Sequence, residues 1–184
     1  MKNTLPQTYL LSVIMLLTLF ANIAFAQTDA NKVLHLLKGY EWKLDSEKFL
    51  NSVQQLNLTT DADLALSDIA SDTSLLNVHR FRAIQALSLF NNERVANFLE
   101  NYMHANPQDY HVRRAFAALA KGFSKFQPDR IQNMATKMLN NPNGHIRMQA
   151  AKALKNLKSK SAQARYERYL KDEKEDWVLN AMKK

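Results

Sequence analysis

The sequence predicts an all-α protein: a short right-handed solenoid of about three antiparallel helix pairs behind a divergent N-terminal helical cap. Three observations carry this expectation. Apolar residues recur with helical rather than alternating spacing over most of the chain. A pattern of apolar and basic residues returns at steps of 33 and then 34 residues. The 184 residues contain no cysteine and only 3 glycines, which excludes a disulfide-stapled scaffold and a Gly-rich phosphate loop.

Residues 1–26 read as an export signal. Lys2 is the only charged side chain before Asp29, and an apolar run from Tyr9 to Phe20 follows it. The run ends at Ala24-Phe25-Ala26, with small residues at −3 and −1 relative to a cut before Gln27. The alternative is an uncleaved anchor, because the apolar stretch reaches the lower length limit for a spanning helix. The A-x-A site favours cleavage near Ala26 and a periplasmic or secreted protein of a bacterial envelope. A lipid anchor on cysteine is excluded by composition.

Residues 27–75 are expected to form the helical cap. Val33, Leu34 and Leu37 mark a short helix over 30–38 that Gly39 can end. Tyr40, Trp42 and Leu44 alternate with charged residues, as an extended strap would. Asp45 is a candidate cap for a helix carrying Phe49, Leu50 and Val53. Thr60 or Asp61 can cap another that carries Leu64, Leu66 and Ile69. Trp42 and Phe49 are the expected plugs of the open end, since a terminal repeat would otherwise leave apolar surface wet. The sequon Asn57-Leu58-Thr59 is short enough to occur by chance.

Residues 76–184 carry the repeat. Its copies run from His79 to Leu87 and Phe90, from Val112 to Ala120 and Phe123, and from Ile146 to Leu154 and Leu157. On a helical wheel Ala83, Phe116 and Ala150 coincide, as do Phe90, Phe123 and Leu157, so each copy presents one apolar stripe. A second amphipathic run follows each: Val95, Phe98, Leu99 and Met103; then Ile131, Met134, Ala135 and Met138; then Ala162, Tyr166, Tyr169 and Leu170. Asn91-Asn92, Gln127-Pro128-Asp129 and Lys158–Ser161 are expected to separate the helices of a pair, and Asn106-Pro107 and Asn141–Gly144 to separate the pairs. The string Val/Ile-Arg-x-x-Ala-Ala-x-Ala-Leu, clearest from Ile146 to Leu154, resembles HEAT-like repeats over roughly residues 76–184. That resemblance implies stacked antiparallel helix pairs. It also implies second helices lining a concave side, and arginines that bond between neighbouring repeats.

Candidate sites follow from this frame. Arg80, Arg113 and Arg147 recur at the edge of the stripe and are expected to form a structural ladder. Asp109 and Asn143 stand four residues before the last two of them as candidate caps. Charge is lopsided: residues 27–105 hold 7 Lys/Arg against 10 Asp/Glu, and residues 106–184 hold 17 against 7. Arg147, Lys152, Lys155 and Lys158, with Lys160, Arg165 and Arg168, form a candidate surface for an anionic partner, or only a solvated face. Asn97 and Asn101, Gln132 and Asn133, and Gln163 are polar positions expected on the concave side, where amides can bond a ligand without a heavy desolvation cost. Met103, Met134, Met138 and Met148 read as gap-filling core.

No catalytic, metal or cofactor residues are assigned. There is no G-x-S-x-G elbow and no H-E-x-x-H motif. His111 and His145 hold equivalent positions, but packed helices lie roughly 8–10 Å apart, too far for unaided shared ligation. The expected function is therefore a non-enzymatic protein-binding or scaffolding module whose partner is another envelope protein. The alternative is a peripheral binder of anionic lipid or polysaccharide. Export argues against nucleic acid as a natural target, and the oligomeric state is left open.

Overall fold

The structure is a computed structural model that describes residues 27–40 and 45–183. The export segment and the strap residues Trp42 and Leu44 lie outside the described residues. All regular structure among the described residues is helical. Helix α1 covers residues 27–38. It is followed by α2 (Ser46–Gln54), α3 (Ala62–Ser71), α4 (Asn77–Leu87), α5 (Glu93–Ala105), α6 (Asp109–Phe123), α7 (Pro128–Met138), α8 (Gly144–Asn156), α9 (Lys160–Asp172) and α10 (Asp176–Lys183). No helix among the described residues is long and apolar enough to cross a membrane.

Polar residues set the helix starts. Asp45 accepts from the Lys48 amide at 3.0 Å, Asn92 from Val95 at 2.9 Å, Asn143 from His145 at 2.8 Å and Ser159 from Ala162 at 3.1 Å. Each bond satisfies one of the amides that a helix leaves open at its first turn. Pro128 opens α7, where its missing N–H costs little. Two expected caps are corrected. Asp109 is the first residue of α6 rather than its cap, and its carboxylate accepts instead from Asn143 at 2.6 Å. Asp61 occupies the cap position of α3 without a side-chain bond to it, because its carboxylate is turned to Arg94 at 2.8 Å.

Packing follows the even-numbered helices. Helix α4 lies on α6, α6 on α8 and α8 on α10. Among the others, α3 lies on α4, α5 on α6, and α7 and α9 on α8. The broadest helix–helix contacts span the Asp72–Leu76, Asn106–Gln108 and Leu139–Asn143 connections. The expected pairing thus shifts by one helix in the first two copies, whose second run packs mainly on the first run of the next, whereas in the third copy α9 lies on α8 as expected.

The three stripes form the core. Ala83, Leu87, Phe116, Leu119, Phe123, Ala150 and Leu154 are buried in one cluster that also holds Val33, Leu37, Phe49 and Leu66. The N-terminal helices therefore share one core with α4 to α9. Phe49 is fully buried, with the Tyr40 ring edge-on at 6.0 Å. Leu64 departs from expectation and faces out from α3. At one point the stack requires a glycine. A Cβ on Gly122 in α6 would lie 2.8 Å from the Ser88 carbonyl oxygen at the end of α4.

Asp29 ties α1 to the chain before α3. It is fully buried, and Oδ2 accepts from the amides of Thr59 and Thr60, each at 2.7 Å, and from their hydroxyls at 2.7 and 3.0 Å. Burial disfavours the carboxylate, but the four donors outweigh it and hold the pKa far below the usual range. The threonine of the sequon is spent on this bond.

Candidate functional site

Of the three arginines expected to form a ladder, Arg80 and Arg147 bond to other helices or their connections. Arg80 is buried, and its Nε donates to the Ala70 carbonyl at 3.0 Å. That carbonyl is one of the last four of α3, an end that favours a cation. Its other nitrogens donate to Asn77 Oδ1 and to the Tyr102 hydroxyl, both at 3.3 Å. The Tyr102 hydroxyl also shares a hydrogen bond with His111 Nδ1, 2.7 Å away. Burial and the Arg80 charge lower the His111 pKa.

Arg147 uses all five N–H donors. Nε and one nitrogen bind Glu173 at 2.8 and 2.9 Å, the same nitrogen reaches Glu175 at 2.7 Å, and the other takes the Asn141 and Pro142 carbonyls at 3.0 Å each. Glu173 also accepts from the Tyr169 hydroxyl. The Arg147 bonds hold the Glu173 carboxyl down at about 2, and burial beside it pushes the Tyr169 hydroxyl up. Arg113 differs. It is half-buried and has no hydrogen bond or ion pair among the described residues.

These bonds change the candidate anionic surface. Arg147 has no donor left for a ligand, so it leaves that set. Lys155 donates to the Met182 carbonyl at 3.2 Å. Lys152 is half-buried on α8, Lys158 lies in the α8–α9 connection and Lys160 begins α9. Arg165 and Arg168 on α9 are exposed. They line a cleft of about 520 Å³ between α7 and α9, together with Thr136, Leu139, Asn140 and Lys174. The Arg147–Glu173–Glu175 cluster forms its inner wall. Asp172 is the remaining acid of the lining, so the free side chains there are mostly cationic.

The candidate concave set divides likewise. Gln132 Oε1 accepts from the Ser159 and Ser161 hydroxyls at 2.8 Å each and ties α7 to the start of α9. Gln163 Nε2 donates to the Lys155 and Leu157 carbonyls at 3.1 and 2.5 Å, closing the end of α8. Asn97 Oδ1 accepts from Arg130 at 2.6 Å. These three are structural. Asn101 and Asn133 line open grooves.

His111 and His145 do not form a pair. His111 is buried against Phe81, Tyr102 and Tyr110, whereas His145 is exposed and lies 4.5 Å from the Trp177 ring. No group of three or more His, Asp or Glu that could hold a metal is found among the described residues.

Sequence reasoning missed a second set of cross-links. Arg94 on α5 binds Asp63 of α3 at 2.7 Å and Asp61, the residue before that helix, at 2.8 Å. Arg130 on α7 binds Glu93 at 2.7 Å and Glu100 at 2.5 Å on α5. The signal was available as partners one repeat period apart: Asp61 with Arg94, and Asn97 with Arg130, are each separated by 33 residues.

Comparisons with protein-family models, with curated proteins and with solved structures find no match for this chain.

Proposed function

We propose that this chain is a non-enzymatic binding module, a short HEAT-like solenoid exported to the bacterial envelope, that holds an acidic segment of another envelope protein in the α7–α9 cleft. The observation that carries the reading is the division of labour among the basic residues. Arg147 is consumed inside the wall, while Arg165, Arg168 and Lys174 line the open space beside it. The repeat period, the packing of alternate helices and the cross-links about one period apart support the solenoid. Cleavage before Gln27 would leave Asp29 near the new N-terminus, already tied to Thr59 and Thr60.

Titration of the protein lacking residues 1–26 with a fluorescent oligoglutamate peptide in rising salt tests the site. Binding that weakens with salt and is lost in Arg165→Gln/Arg168→Gln is expected. Binding that survives this double change sinks the cleft as the site. Co-sedimentation with anionic vesicles, abolished by changing Lys152, Lys155 and Lys158 to Gln, would instead favour a membrane-surface role. N-terminal sequencing of the protein recovered from cells tests export, with Gln27 as the expected first residue.

A further inference from the structure

The α7–α9 cleft is the last of four grooves, each opening between successive odd-numbered helices. The first, about 460 Å³ between α1 and α3, is floored by Ala30, Leu34, Ile69 and Leu75 and edged by Asp68 and Asp72; among the described residues no Lys or Arg lines it. The second, about 330 Å³, lies at the end of α3 against Phe98, Asn101 and Asn106. The third, about 420 Å³ between α5 and α7, is lined by Met103, Met134 and Met138 beside His104 and Lys137, and its Glu100 and Arg130 are paired with each other. The charge of the lining therefore changes sign along the series, from carboxylates at α1–α3, where Asp72 Oδ1 also accepts from the Ser74 amide and hydroxyl at 2.9 and 2.6 Å, to guanidiniums at α7–α9.

We propose that the four grooves are one track for an extended polypeptide of matching polarity. Its basic end lies over Asp68 and Asp72, an apolar side chain enters among the methionines, and its acidic end lies over Arg165 and Arg168. This rests on the binding-module reading and sharpens it by naming the shape and charge order of the partner. If successive odd-numbered helices keep about the 10 Å spacing of packed helices, three steps from the first groove to the last span about 30 Å, the reach of about eight or nine extended residues. Unbranched thioethers adapt to varied apolar side chains, which suits the middle of such a track. A uniform polyanion fits poorly, because Asp68 and Asp72 repel it at one end. That disfavours nucleic acid, an anionic membrane surface and an acidic polysaccharide together.

Fluorescence anisotropy with three labelled ten-residue peptides tests the track on the protein lacking residues 1–26. One peptide has a lysine block, a Leu-Met centre and a glutamate block. The second has the same composition with charges alternated, and the third is oligoglutamate. The block peptide is expected to bind at least about tenfold tighter than the alternated one. Asp68→Asn/Asp72→Asn and Arg165→Gln/Arg168→Gln should each cost it about tenfold, with the helical circular dichroism unchanged. Asp68→Lys/Asp72→Lys should shift the preference to oligoglutamate. Equal binding of the block and alternated peptides overturns the track, as does indifference to the Asp68/Asp72 changes. If oligoglutamate binds through Arg165 and Arg168 while the Asp68/Asp72 variants behave as wild type, the track falls and the acidic-partner function stands. If no peptide binds, both fall.

Discussion

Replacing Arg80, Arg113 and Arg147 one at a time by alanine separates equivalence in sequence from equivalence in structure. Arg80→Ala removes two buried methylenes, worth about 1.6 kcal/mol at roughly 0.8 each. It also strips the Ala70 carbonyl and the Tyr102 oxygen of a donor inside the core, about 1–3 kcal/mol more. Release of a desolvated guanidinium returns part of this, leaving a loss of about 3 kcal/mol. For a domain of this size that is a drop in Tm of roughly 6–12 °C. Arg147→Ala leaves Glu173 in the wall, but the Tyr169 hydroxyl and the Lys174 and Glu175 amides still donate to it. The expected loss is therefore about 2–3 kcal/mol, below the upper range for orphaning a buried charge. Arg113→Ala breaks no bond among the described residues and should cost about 0.5 kcal/mol. Urea unfolding at pH 7.5, with Tm as a second reading, ranks the three. Equal losses for Arg113→Ala and Arg80→Ala would refute the reasoning, because stability would then follow repeat position rather than the partners each arginine finds.

Three further outcomes are expected. Burial and nearby cations lower the pKa values of His111 and His79, so the unfolded chain binds more protons and stability falls with acid. The loss begins near the unfolded value of about 6.5 and continues down to the depressed folded values, at up to roughly 1.4 kcal/mol per pH unit for each histidine. In His111→Asn an amide replaces the ring, so the slope of the urea midpoint between pH 6.5 and 5 should shrink; an unchanged slope would clear His111 of the effect. Asp29→Asn turns an amide toward four donors and should cost about 2–3 kcal/mol by chemical unfolding, with wild-type stability at neutral pH counting against the cluster. Gly122→Ala gains up to about 1 kcal/mol of helix propensity, yet its methyl meets a backbone oxygen that cannot rotate away. Separating α4 from α6 should cost about 1–3 kcal/mol and lower Tm, whereas a rise would mean that the stack tolerates a wider spacing there.

Much of the candidate site was legible in part. The charge asymmetry pointed to the C-terminal half, and Arg165 and Arg168 do meet in a cleft. Which of the seven basic side chains remain available was not legible. The partners that consume Arg147 stand 26 and 28 residues away, on a connection with no pattern of its own. Gln132, Gln163 and Asn97 looked like open polar surface because an amide's sequence signature is the same whether it bonds a ligand or a neighbouring helix.

The chain alone determined its helices, its breaks and the side of each helix that is buried. Those properties are local: a 3.6-residue apolar period, a capping side chain or a proline acts within one or two turns. Tertiary structure decided what depends on which helices meet. It set the pairing across the longer connections, the need for glycine at position 122, the burial of Asp29 beneath two threonines and the unequal fates of three arginines in matching positions. Burial and hydrogen-bond partners are properties of contacts between distant segments, and identical local strings acquire different surroundings once they stack.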